Sequence, residues 1–573
     1  MKRALLQIAL FGLLLALVTT LPNKDDWDIY SFYINSTVTS RYATTIITSR
    51  VANRMDESKE IEFQVQIPKN AFISKFRMFI DGQVFDGVVK AKEEAQQQYT
   101  AAVSRGQSAG LVSSVGRTLE KFKTSVNVAA HKKVTFELTY EELLKRMLGK
   151  YELQIHAHPM QPVKDFKVFL SIQYTLLGDI KRSDGYFVHH FAPLNLPRIP
   201  KNVVFVIDRS GSMHGRKMEQ TRIALIHIFN DLAEEDYLGL ITFDSDISYW
   251  KRELVQASKE NLESAKNFAR GITDRGATDI NEAVLQGARL LSVHPREGSA
   301  SILILLTDGD PTTGVTNLEI IQSNVKKAIA GKFPLYCLGF GFDVNFEFLE
   351  KMSLKNSGVA RRIYEDSDAD LQLKDFYEEV ATPLLTDVTM VYIGGTNLTK
   401  TNFSQYYNGS EIVVAGQITD NNVETFIPQV VALSVRTGTR SVTFSDTSTT
   451  VESTGIMSES HMQRVWAYLT VKQLLEKELM LSESKEEEMK KALALSLKYN
   501  FVTPLTSMVV TKPQGENTEV LHKPKEGVAH DPQDSGLLIR HAVGASSLSG
   551  VMKGQRGTTL IMFHRYKNTL LYV

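Results

Sequence analysis

Cysteine is the scarcest informative residue here: Cys337 is the only one in 573 residues. That excludes a disulfide within the chain and a zinc site built on paired cysteines. Because it lies inside the apolar run "FPLYCLGFG", the thiol reads as a core group, with an intermolecular disulfide or a reactive thiol as the other readings. Excess charge of either sign is also missing. Lys plus Arg and Asp plus Glu both number 65, so the overall balance does not favour nucleic acid as a partner. Beyond the amino-terminal run there is no apolar stretch long enough to span a membrane. No G-K-[ST] phosphate loop occurs, and Ser212, followed by Met213 and His214, does not sit in a G-x-S-x-G nucleophile elbow, which argues against a P-loop nucleotide site and against an α/β-hydrolase centred on that serine.

What is present is ordinary globular material, 43% hydrophobic and 23% charged. The length suits about three or four domains of roughly 150 residues each. The opening "MKRALLQIALFGLLLALVTT" sets Lys2 and Arg3 before an apolar stretch that ends in small residues, and predicts a signal peptide over residues 1–22. An uncleaved anchor is the alternative, but it would need about 20 apolar residues. Four N-x-[ST] sequons, at Asn35, Asn397, Asn402 and Asn408, fit a secreted glycoprotein.

The apolar pattern divides the rest. Residues 28–160 alternate in "IEFQVQIP", "VTFELTY" and "YELQIHAHP", with turn residues in "DGQVFDG", which predicts a β-rich sandwich or barrel. One helix, "KAKEEAQQQYTAAVSRG", interrupts the strands and stops at Gly106. His156 and His158 share a strand face there, and a solvated face is their simplest reading. Residues 161–199 read as a connector. From 200 to 386 the runs "NVVFVI", "LGLITF", "SILILL" and "FPLYCLGF" alternate with helical stretches, as in a doubly wound parallel α/β domain buried on both faces. Met218, Ala224, Leu225, Ile228, Phe229 and Leu232 fall on one helical face. Residues 387–455 read as a small β module with three of the sequons, 456–513 as a helical segment with a following strand, and 514–573 as a flexible, atypical tail.

In a doubly wound sheet, ligands bind beyond the carboxyl ends of the strands. Three segments there carry oxygen donors: "DRSGS" with Asp208, Ser210 and Ser212, "RGATDI" with Thr278, and "LILLTDGDP" with Asp308. Carboxylates and hydroxyls without imidazole or thiolate select Mg²⁺ or Mn²⁺, with Ca²⁺ a further option. Two carboxylates balance a divalent charge and leave an open position for an outside carboxylate. The competing reading is that Asp208 and Ser210 cap the next helix. Two other motifs fall short. "EDSDAD" lacks the glycine and glutamate of a calcium loop, and Asp208, Ser212 and His214 sit too close in sequence for a hydrolytic triad. A metal-dependent phosphatase would leave the serines without a role.

"DRSGSM", "GATDI" and "TDGD" resemble the three loops of the metal-ion-dependent adhesion site of von Willebrand factor type A domains. By matching positions, the resemblance makes Asp208, Ser210, Ser212, Thr278 and Asp308 the metal ligands, directly or through water. "AQQQYTAAVSRGQSAGLV" and "VTFELTYEELLKR" resemble the vault protein inter-alpha-trypsin (VIT) domain. "ARRIYEDSDADLQL", "SEIVVAGQI" and "FVTPLTSMVVTKP" extend the likeness to the inter-alpha-trypsin inhibitor heavy chains, of the third or fourth type. This implies a secreted, non-enzymatic plasma or matrix glycoprotein associated with hyaluronan, chondroitin sulfate and the bikunin light chain. Two departures stand out: "HDPQD" replaces the family's Asp-Pro-His-Phe processing site, and the join after the VIT region is compressed. The first puts covalent transfer in doubt, although the fourth heavy chain also lacks that linkage. The second would leave the first domain incompletely packed if strands were lost. A general adhesion module without hyaluronan or bikunin is the alternative function, and an intracellular VIT and type A protein a third that the leader opposes.

Overall fold

Alternating side chains build the amino-terminal unit. In the computed structural model, β1 (Trp27–Thr39) buries Ile29, Phe32, Ile34 and Val38. The structure describes residues 27–511 apart from 68–70, 115–120, 156–162, 164, 174–178, 294–295, 297, 342–343, 367, 420–425, 436–440, 447–450, 454–460 and 481–485, with four short strands between 537 and 572. The signal peptide expected over residues 1–22, His156, His158 and "HDPQD" lie outside the described residues.

β1 pairs antiparallel with β2 (Tyr42–Asn53), which pairs with β5 (Lys133–Leu143) and through it with β3 (Ala71–Ile80). On its other edge β1 runs parallel to β6 (Asp165–Gln173). A second sheet holds, in order, Lys59–Gln66, Lys121–Val128, β4 (Ala109–Ser114), β17 (Thr506–Thr511) and Val88–Ala91. Val112, Val126, Met508 and Val510 of this sheet share one core with Ile34, Phe76 and Phe136 of the first, so the unit is a sandwich. The expected helix is α1 (Lys92–Val103), and Gly106 takes φ 69 in the turn that follows it.

Residues 161–199, expected as a connector, carry strands of two different sheets. β6 belongs to the sandwich, whereas Ile180–Ser183 pairs with β7 (Tyr186–Phe191), which pairs on its other side with β15 (Ile412–Ile418) of the module downstream. That module packs the β15 sheet on a second one containing β13 (Pro383–Ile393), β14 (Asn402–Tyr407) and β16 (Ile427–Val435), around Phe187, Leu385, Tyr392 and Val414. Two helices follow, α8 (His461–Met480) and α9 (Glu486–Lys498). α8 sets Val465, Trp466 and Tyr468 against Tyr42 and Phe72 of the sandwich and Val188 and Ala415 of the module. Beside it, buried Arg41 donates to Asp179 Oδ1 at 3.0 Å and lies 3.1 Å from Glu411 Oε1, while Lys181 and His190 also face Asp179. Buried charges of opposite sign thus tie the two β units together. Of the last sixty residues, expected as a flexible tail, Leu537–Ile539 pairs with β6 and Asn568–Tyr572 with Lys150–Ile155.

The middle of the chain is a doubly wound sheet. β9 (Tyr237–Phe243), β8 (Lys201–Asp208), β10 (Ala300–Thr307), β11 (Leu335–Phe340) and β12 (Ala360–Ile363) lie in that spatial order, all parallel, with Ile247–Tyr249 antiparallel on the β9 edge. Every residue of β8 is buried. Val203, Phe205 and Ile207 point to one core, with α2 (Arg216–Asn230), α3 (Lys259–Arg270) and α7 (Ala369–Val380); Val204 and Val206 point to the other, with α4 (Ile280–Val293), α5 (Leu318–Ile329) and α6 (Phe346–Leu354). Both faces being covered explains the unbroken apolar runs. Met218, Ala224, Leu225, Ile228, Phe229 and Leu232 are all buried in the first of these cores. Cys337, on β11, is buried as a free thiol, and burial pushes its pKa up.

Candidate metal site

From β8 the chain winds to β9 on one side, and the later strands lie on the other. The carboxyl end of β8 is therefore a topological switch point, where such sheets open a crevice. Asp208 is the last residue of β8 and is fully buried. Its Oδ1 accepts from Ser210 N at 2.7 Å, and its Oδ2 accepts from Thr307 Oγ1 at 2.5 Å. Burial raises its carboxyl to about 6; the bonds from Thr307 and Ser210 pull the other way, and Asp308 adds to the rise.

The hydroxyls form a relay. Ser212 Oγ donates to Asp308 Oδ1 at 2.7 Å, which leaves Ser210 Oγ to donate to Ser212 Oγ at 3.0 Å. Lys217 Nζ donates to the other carboxylate oxygen of Asp308 at 2.8 Å. Thr278 is held from its backbone, its N–H donating to Thr312 Oγ1 at 2.9 Å and its carbonyl accepting from Thr312 N at 3.0 Å. A Cβ built on Gly309 would stand 3.6 Å from Ser212 Oγ and 4.0 Å from Thr278 Oγ1, so the loop after β10 runs between the other two. The structure brings together all five residues singled out from the sequence. Asp279, next to Thr278, accepts from Glu282 N at 3.0 Å and so caps α4.

Capping does not account for Asp208 and Ser210. Neither side chain caps α2, which is entered through Gly215 at φ 74 without a side-chain cap. Glycine's freedom is therefore used at Gly215. The Gly211 N–H bonds Gly276 O at 3.1 Å. The triad reading also lacks its geometry, because His214 is exposed and pairs with Asp274 at 2.9 Å, while Ser212 turns to Asp308. No group of three or more His, Cys, Asp or Glu side chains that could hold a metal occurs among the described residues, so any cation here would depend on the hydroxyls.

The donors fit a hard divalent cation: two carboxylates and three hydroxyls, with no nitrogen or sulfur ligand. Asp208 supports the fit, since it is a buried carboxylate held only by neutral donors. Beside the cage, Arg209 and Arg275 both reach Asp244 Oδ2 at 3.0 Å, and Arg275 N bonds Arg209 O at 2.7 Å, which fixes the "DRSGS" loop to the loop before Thr278.

Residues 29–140 match the vault protein inter-alpha-trypsin domain, and residues 202–379 the von Willebrand factor type A domain. Inter-alpha-trypsin inhibitor heavy chain H3 of Mesocricetus auratus is 44% identical, with 90% of this chain and 67% of that protein covered. Heavy chain H4 of Homo sapiens is also 44% identical, covering 91% and 64%. The chain belongs to the inter-alpha-trypsin inhibitor heavy chain family. This heavy chain is thus related to the third and fourth types alike, and spans about two thirds of the length of these relatives. Among solved structures, a von Willebrand factor type A protein from Catenulispora acidiphila is matched at a TM-score of 0.37 and 15% identity, over 56% of this chain and 83% of that one.

All four sequon asparagines of the heavy chain are exposed. Among the described residues no helix is long and apolar enough to cross a membrane. Sequence reasoning missed Lys217, Thr307 and Thr312. Thr307 could have been found, as the residue before Asp308 at the end of a buried strand. Lys217 and Thr312 meet the cage only through tertiary placement.

Proposed function

We propose that this heavy chain is a secreted, non-enzymatic extracellular glycoprotein whose type A domain binds Mg²⁺ or Mn²⁺ through Asp208, Ser210, Ser212, Thr278 and Asp308. The observation that carries this reading is the convergence of those hard oxygens at the switch point of the sheet. A bound cation supplies a Lewis-acid position for one carboxylate oxygen of an extracellular protein ligand. The chain's own residues set the rest. Thr307 and the Ser210 amide orient Asp208, Ser210 and Ser212 pass a hydrogen bond to Asp308, and Thr312 fixes Thr278.

Membership of the heavy-chain family supports association with hyaluronan, chondroitin sulfate and bikunin. The "HDPQD" sequence favours a second reading, an adhesion module that engages matrix proteins without those partners. Titration of the secreted chain with Mg²⁺ and Mn²⁺ by calorimetry, beside Asp208→Ala with its fold checked by circular dichroism, tests the site. Saturable binding that the variant loses is the expected result, and no binding by a folded wild type would sink the metal reading. Pull-down on hyaluronan and on bikunin, with and without chelator, separates the two functional readings.

A further inference from the structure

Lys217 belongs to the first turn of α2, and its ammonium lies between two carboxylates. Asp308 Oδ2 is 2.8 Å away and Glu365 Oε1 3.3 Å away. The three groups differ sharply in exposure: the Asp308 side chain is 0% exposed, Lys217 18% and Glu365 42%. Glu365 reaches this position over Gly341, which has φ 87 and where a Cβ would come within 2.2 Å of Glu365 Oε1. The ammonium therefore has one acceptor inside the cage and one at its rim.

Charge decides what this arrangement does. Asp208 and Asp308 place two negative charges in the cage, and Lys217 cancels one. A divalent cation added beside the ammonium leaves the two positive charges repelling each other across a poorly solvated space. We infer that Lys217 is the resident counter-cation of this site: it neutralises Asp308 when no metal is bound, lowers the affinity for a divalent cation, and shifts towards Glu365 when one enters. The inference rests on the metal reading above and concerns how tightly, rather than whether, the cage binds. It gives the metal-free loop a folded state of its own, because a buried Asp308 without its partner would carry an uncompensated charge.

The test uses the full secreted chain as wild type, Lys217→Met, Lys217→Arg, Glu365→Gln and the Lys217→Met/Glu365→Gln double variant. Mg²⁺ and Mn²⁺ affinities are read by calorimetry, and thermal unfolding is read in chelator and in saturating Mg²⁺. Lys217→Met should bind Mg²⁺ about tenfold more tightly, melt lower than wild type in chelator, and gain more from Mg²⁺. Lys217→Arg keeps the charge and should bind as wild type does. Glu365→Gln should weaken binding several-fold alone and have little effect in the Lys217→Met background, a non-additivity that distinguishes ammonium transfer from simple loss of a rim charge. Unchanged or weaker Mg²⁺ binding by a folded Lys217→Met chain overturns the proposal. If neither wild type nor Lys217→Met binds Mg²⁺ or Mn²⁺, the metal reading itself fails, and a lower melting point of the variant in chelator would then mark Lys217 as only a structural ion pair. Were Lys217→Met not to fold, Lys217→Arg and Glu365→Gln would still decide: equal affinity for all three charged chains overturns the transfer.

Discussion

At the scale of single residues, the cage is maintained by groups that would not themselves touch a cation. Thr307 is the clearest case, because it is fully buried and its hydroxyl donates to the buried Oδ2 of Asp208. Thr307→Val keeps the shape and removes the donor. We expect the variant to lose on the order of 1–3 kcal/mol of stability in chelator, the cost of a buried carboxylate oxygen left without its partner. Denaturant unfolding measures this, and a loss below the experimental error would show that water replaces the hydroxyl. The ligand candidates were legible in the sequence because carboxylates and hydroxyls at strand ends are local facts. Lys217 was not legible, since nothing in the order of residues says that the first turn of α2 faces the loop after β10.

Elements bring a different dependence, on packing between segments remote in sequence. The start of α8 places the His461 ring edge-on to Tyr42 with centroids 5.4 Å apart, and its Nε2 is buried with no hydrogen-bond partner among the described residues. Burial, helped by Lys181, His190 and Arg464 against the pull of Glu141, holds the imidazole down to about 4. A histidine whose folded pKa is depressed contributes stability that is fully present above its unfolded value of about 6.5, and that stability is lost as pH falls from there towards about 4. His461→Phe keeps the ring and removes the titration, so its melting temperature should fall less than that of wild type between those two pH values. Parallel acid profiles for the two proteins would refute the assignment. The helical segment expected between 456 and 513 is α8 with α9. The sequence could not indicate that Trp466 and Tyr468 are covered as well, because the helix is wedged between two β units.

For the whole molecule, the decisive feature is that the amino-terminal sandwich is not continuous in the chain. β17 sits between β4 and Val88–Ala91, with Val509 opposite Leu111 and Thr506 opposite Ala91. A fragment ending at residue 160 would leave β4 as an unpaired inner edge and remove Met508 and Val510 from the core that they share with Val112 and Val126. We expect such a fragment to be aggregated or unfolded, and a peptide spanning residues 500–513 to restore protected amides in hydrogen exchange when supplied in trans. A soluble, cooperatively melting fragment would contradict this.

The sequence by itself determined the classes of structure and the chemistry of the donors. Period-two strands, unbroken buried strands with helices between them, and oxygen ligands at strand ends are all written within windows of a few residues, where backbone geometry alone fixes which side chains share a face. Only the tertiary structure decided that β6 and β17 complete the sandwich, that Arg41 meets Asp179 and Glu411, and that Lys217 shares Asp308 with the cage. Those contacts join segments up to hundreds of residues apart. They form because burying apolar faces and pairing charges is favourable only once several elements meet, and no local pattern encodes that condition.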